Sequence, residues 1–315
     1  MAEKLKKPED ESRTRVIIFY ESHTASSLKT FKEFIEAKHP AVIVLEEDER
    51  AEFQPMLDGK ISVKQYMQGH MYPLREFLEK RYEFLIKLHK ENPEIKIEQF
   101  EPSIEMKIRN MIRTGIVRDM ESRIAHGDFE GGVRATVEFA KAESDWIGVE
   151  EEMRAKGIAD KIKKGGWAGC ILVEAGATHT RVGHLLRKYL GEDAEVSSFH
   201  SVKESIMKGF GEEAYGVGLQ MLYPPVQELR RLYLFGREVS EEREKLLGAR
   251  AMVFFKITAE GEAGLDNVHI MKAVGLVGKL SYSECKQIFN DIYSKGMKNE
   301  EAFRFVEACI EKNEK

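Results

Sequence analysis

Short apolar runs alternate with longer stretches of helical periodicity, and that alternation predicts the architecture. Residues 16–20 form a continuous apolar run, and residues 25–38 follow with Leu28, Phe31, Phe34 and Ile35 on one helical face. His39 and Pro40 end that helix, and residues 41–46 are the next apolar run, as in a parallel strand covered by helices on both faces. Residues 62–90 carry Tyr66, Leu78, Tyr82, Leu85 and Leu88 at helical spacing around Pro73, which predicts a kink or two helices. A third strand is expected over 95–100 and a fourth over 169–174, separated by a helical insertion at about 102–165. A helix over 182–189, a strand over 194–200, mostly helix over 202–248 and a last strand over 251–257 follow. Helices over 281–294 and 299–311 close the chain. These elements predict an α/β fold: a mostly parallel sheet covered by helices, with a large helical insertion and a helical C-terminus. A charged tail, 1–14, precedes a single domain over 15–315.

Composition narrows the function classes. With 42% apolar and 33% charged residues, the chain has the balance of a globular protein. A net charge of −5, with no basic stripe interleaved with aromatics, argues against a nucleic-acid surface. Cys170, Cys285 and Cys309 form no CxxC pair, which suits a reducing compartment. No stretch approaches the roughly 20 apolar residues that cross a bilayer, and the charged N-terminus lacks a signal-peptide core. A cytoplasmic protein without membrane partners is expected.

The candidate chemistry lies where strands end, because in an open α/β sheet ligands bind beyond the strands' carboxyl ends. The first strand runs into Glu21 and His23, and the fourth into Gly176, Thr178 and His179. A carboxylate beside an imidazole fixes the ring tautomer and raises its basicity, which suits metal ligation or general-base work. The alternative is a polar pair capping the next helix. Gly176 allows a tight turn, and Thr178 or Thr180 is placed to cap the helix that follows, whose N-terminus attracts anions. After the second strand come Glu46, Glu47 and Arg50, and strand alternation sends Glu46 and Glu47 to opposite sides. Glu101 holds the same place after the third strand, where Pro102 also marks it as a helix-start acid.

A histidine motif after strand one, a strand-end glutamate with a nearby arginine after strand two, and a GxxH motif after a later strand resemble the TraB/TIKI proteins. Those belong to a wider grouping with the erythromycin esterase and ChaN-like proteins. The matching residues are His23, Glu46, Arg50, Gly176 and His179, over a framework from about 15 to 200. Tyr20 stands where the family has glycine. The resemblance implies a hydrolase of peptide or ester bonds acting on a peptide or small-molecule substrate. In that reading His23, His179 and Glu46 hold a divalent metal, Glu21 or Glu101 acts as base, and Arg50 binds an anionic group. The alternatives are a haem- or small-ligand-binding protein using the same two histidines, or a partner-binding protein. Other motifs fail: residues 273–280 lack the first glycine and the final Ser or Thr of a phosphate loop, and no HExxH or GxSxG occurs.

Overall fold

The structure, a computed structural model, describes residues 13–21, 25–68, 75–101, 106–201, 223–258 and 267–313. The chain divides into two compact units, the first Met1–Pro102 with Glu151–Ser201, the second Ser103–Glu150 with Val202–Lys315.

The first unit is built on five parallel strands: β1 (Thr14–Glu21), β2 (Val42–Leu45), β3 (Lys96–Gln99), β4 (Cys170–Gly176) and β5 (Ala194–His200), in the order β3-β2-β4-β1-β5. The α/β class read from the sequence is what the structure shows. Alternation divides the strand side chains between two apolar layers. Phe19, Ile43, Leu45 and Leu172 pack with α1 (Ala25–Lys38) and α4 (Arg75–Glu91). Two short helices, α2 (Phe53–Leu57) and α3 (Val63–Tyr66), complete that layer. Val16, Ile18, Val44, Ile171 and Val173 pack with α7 (Val182–Leu190) and with residues 155–162 of α6 (Phe129–Lys163). The stretch around Pro73 resolves into α3 and α4, with residues 69–74 outside the described ones.

The second unit is helical. It contains α5 (Met106–Ala125), the first part of α6, α8 (Pro225–Leu234), α9 (Glu241–Thr258), α10 (Asn267–Gly278), α11 (Tyr282–Lys295) and α12 (Asn299–Asn313). The strand expected over 251–257 is instead the C-terminal half of α9. Ala251, Met252, Val253, Phe254 and Ile257 are all buried, so that half of the helix has almost no polar stripe and its sequence shows only an unbroken apolar run. Residues 273–280, the discarded phosphate-loop match, lie in and just beyond α10. Among the described residues no helix is long and apolar enough to cross a membrane.

A candidate active site at the carboxyl ends of the strands

In the first unit the chain leaves β1 toward β2 and leaves β4 toward β5, in opposite directions from adjacent strands. In open α/β sheets a switch point of this kind is where ligands bind, beyond the strands' carboxyl ends. Glu21 and Gly176 end the two strands opposite one another, and the Ala177 amide extends the ladder by donating to the Glu21 carbonyl at 2.7 Å.

Two buried arginines organise the side chains at these strand ends, one on each face of the sheet. Arg154 of α6, fully buried, places Nη1 3.2 Å from Glu46 Oε1 and 3.7 Å from Glu101 Oε2, and Nη2 donates to the Glu174 carbonyl at 2.6 Å. Glu46 also accepts from the Gly176 amide through Oε2, and its Oε1 lies 2.8 Å from His179 Nε2. Burial opposes the charge on Glu46, but His179, Arg154 and the Gly176 amide outweigh it and hold the carboxyl well below its usual range. Burial likewise opposes the imidazolium, yet the ion pair and hydrogen bond with Glu46 raise the His179 pKa. Beyond the ring, Glu151 Oε1 lies 4.0 Å from Nδ1 and accepts from the Arg181 amide at 3.1 Å. Burial is the main cause that pushes Glu151 up to about 7.

On the other face Arg81 of α4 reaches Glu174 directly, Glu47 at 3.4 Å and Glu21 at 3.9 Å. Glu47 is also held by Tyr82 Oη at 3.0 Å and by Gln99 Nε2 at 2.7 Å. Burial raises Glu21 well above the usual carboxyl range, and the charge of Glu174 adds to it. Glu47 is raised by burial against the pull of Arg81. The expected split of Glu46 and Glu47 across the strand therefore sends one to Arg154 and the other to Arg81.

Of the residues singled out in the sequence, Glu46, His179, Gly176 and Glu101 come together around Arg154. Glu21 belongs to the Arg81 side. Arg50 lies with its guanidinium 4.1 Å from the Tyr66 ring centroid and donates to the Tyr66 carbonyl at 3.1 Å. Thr178 does not cap α7: the N-cap is Arg181, without a side-chain hydrogen bond, and the first-turn amides are met by Glu151 and by Tyr20 Oη, 3.2 Å from the Gly183 nitrogen. Tyr20 thus supplies the acceptor that a threonine was expected to supply. His23 lies outside the described residues.

Sequence reading missed Arg81, Arg154, Glu151 and Glu174, although a signal was present. Arg81 interrupts the apolar positions Leu78, Tyr82, Leu85 and Leu88 of one helical face, and Glu151 and Arg154 continue the face of Ala155, Ile158 and Ile162. Glu174 stands inside an apolar strand. A charge at a core position must find a partner there.

Among the described residues no group of three or more His, Cys, Asp or Glu side chains is arranged to hold a metal ion. Both Glu46 oxygens are committed to His179, Arg154 and Gly176, so the described donor set does not fit the expected divalent metal.

The chain is similar to an uncharacterised protein of Archaeoglobus fulgidus, 27% identical over 300 residues that cover 88% of this chain and 98% of the relative. No protein-family model matches the chain. No solved structure matches it.

Proposed function

We propose that the first unit is a hydrolase of ester or peptide bonds in which His179 is the general base and Glu46 orients it. The observation that carries this is the Glu46–His179–Glu151 array beyond the ends of β2 and β4. Because Glu46 is an ionised carboxylate, it only accepts, so the neutral ring carries its proton on Nε2 and its lone pair on Nδ1. Nδ1 has no hydrogen-bond partner and faces Glu151 Oε1, a second acceptor, at 4.0 Å. A water bridging two acceptors at that spacing would be set for deprotonation.

In the reaction, the water oxygen adds to the substrate carbonyl carbon while its proton passes to Nδ1. Glu46 stabilises the imidazolium formed. The carbon–leaving-group bond then breaks, and Nδ1 returns the proton to the departing oxygen or nitrogen, giving a carboxylic acid and an alcohol or amine. The resemblance to TraB/TIKI proteins and their esterase relatives supports the same reaction class.

The test is hydrolysis of a panel of activated esters and short peptides by wild type and His179→Ala, beside elemental analysis of both proteins prepared without chelator. Activity in the wild type that falls about a hundredfold or more in the variant, without bound metal, supports general-base catalysis. Activity untouched by the substitution removes His179 from the chemistry, and stoichiometric metal lost with His179 replaces this mechanism by a metal-assisted one.

A further inference from the structure

The strand ends gather more carboxyl groups than cations. The carboxyls are Glu21, Glu46, Glu47, Glu101, Glu151 and Glu174, and the cations are Arg81, Arg154 and, when protonated, His179. Five of the carboxyls lie within 4.0 Å of a guanidinium, whereas Glu151 meets the imidazole at 4.0 Å and one backbone amide, with the Arg181 charge acting on it from further away. The Arg181 guanidinium itself lies 4.0 Å from Glu152. Independently of that tally, Glu151 is 0% exposed and its Oε2 has no hydrogen-bond partner. The neighbouring Thr180 hydroxyl, which follows His179 in the chain, also has none. A buried acceptor of this kind is costly to leave unmet, and the group that satisfies it best is a cation bearing N–H donors.

We propose that Glu151 Oε2 binds the ammonium group of the substrate, so that the hydrolase acts on esters or amides carrying a free amine beside the scissile carbonyl. This rests on the reading of His179 as the base. The two oxygens of one carboxylate then have separate tasks: Oε1 faces the water at Nδ1 and Oε2 faces the ammonium. Because the two oxygens share one carbon, the ammonium at one and the water at the other are close neighbours, so the carbonyl that the water attacks lies within a few bonds of the amine. That spacing fits an α-amino acyl group: the N-terminal residue of a peptide, or an aminoacyl ester. The hydrolytic step is the one written above, and the ammonium neither gains nor loses a proton in it.

The experiment is calorimetric titration at pH 7.5 with L-leucinol, a primary ammonium with no bond to hydrolyse, and with N-acetyl-L-leucinol, its uncharged counterpart. Wild type, Glu151→Gln, Glu151→Asp and His179→Ala are compared, each first checked for a native thermal transition. Leucinol is expected to bind wild type and His179→Ala, to bind Glu151→Gln about tenfold or more weakly, and to bind Glu151→Asp with intermediate strength. The acetylated compound is expected not to bind. Equal binding of the two compounds, absence of leucinol binding, unchanged binding to Glu151→Gln, or displacement of leucinol by one equivalent of Zn2+ would each overturn the proposal. Because no turnover is involved, binding without hydrolysis of any amino ester removes the proposed reaction and leaves the ammonium site. His179-dependent hydrolysis without leucinol binding does the reverse.

Discussion

At the scale of single residues, the pair of Glu46 and His179 makes a prediction about pH. Glu46 raises the imidazole's pKa, and the ring works as a base only when neutral, so activity increases as pH rises through that pKa. In Glu46→Gln the pull is removed and the pKa falls. The acidic limb of the kcat/KM profile should move to lower pH, while the ring, now less firmly oriented, gives a lower plateau. An unmoved limb would mean that Glu46 does not act through His179. Glu21 makes the opposite kind of prediction, about stability. Its carboxyl pKa in the folded state lies above the unfolded value, so folding takes up a proton. Its contribution is complete below the ordinary carboxyl range and is lost as pH rises through the raised value. Glu21→Gln cannot ionise, so at pH 7 it should unfold at a higher temperature, with a gain of about 1 kcal/mol, and the difference should vanish near pH 4. Glu46 and His179 were legible in the sequence because a polar residue after an apolar run has one obvious place in this fold. Arg81, Arg154 and Glu151 were not, because a helix rich in charge is read as having those charges in solvent.

At the scale of elements, α4 and α6 act as arms that carry a guanidinium to the strand ends. Arg81→Met keeps much of the side-chain bulk but leaves Glu21, Glu47 and Glu174 without their shared cation. The loss should be about 3–5 kcal/mol at pH 7, read by denaturant unfolding, and smaller at pH 4. The approach of α6 to the sheet depends on Gly157, where an added Cβ would lie 2.3 Å from the Phe100 ring. Gly157→Ala should therefore destabilise by about 1–3 kcal/mol despite alanine's better helix propensity, and pairing it with Phe100→Leu should restore part of the loss. A gain in stability from the single substitution would show that α6 has room to move. Most of these elements could be read from pattern, since β1, β2 and β4 are short apolar runs and helices such as α1, α4 and α7 are amphipathic. The C-terminal half of α9 could not, because a segment whose polar side is reduced to Lys256 reads as an unbroken apolar run. The order of the strands was not legible either, since pairing is decided by which edges meet and not by any one strand's composition.

At the scale of the whole molecule, the two units draw on interleaved parts of the chain, and α6 contributes residues to both. The candidate site depends on this arrangement. Glu46 comes from β2's end, Glu151 and Arg154 from the C-terminal part of α6, and His179 from the turn after β4. A shorter piece of chain that ends before residue 151 therefore cannot contain the array.

The strand order has a consequence for how the protein is made. β1 and β2 are early in the chain but do not pair with each other, because β4 lies between them. When the first hundred residues have left the ribosome, β1 has neither of its final neighbours and β2 has only β3. Residues 170–176 fill the gap between them, and the sheet is completed only when β5, residues 194–200, covers the other edge of β1. A nascent chain halted at residue 165 should show no cooperative unfolding and should be cut rapidly by protease, whereas one extended past residue 201 should resist it. Until then β1 and one edge of β2 wait unpaired, so a pause in translation before the central strand emerges leaves apolar edges open to wrong partners.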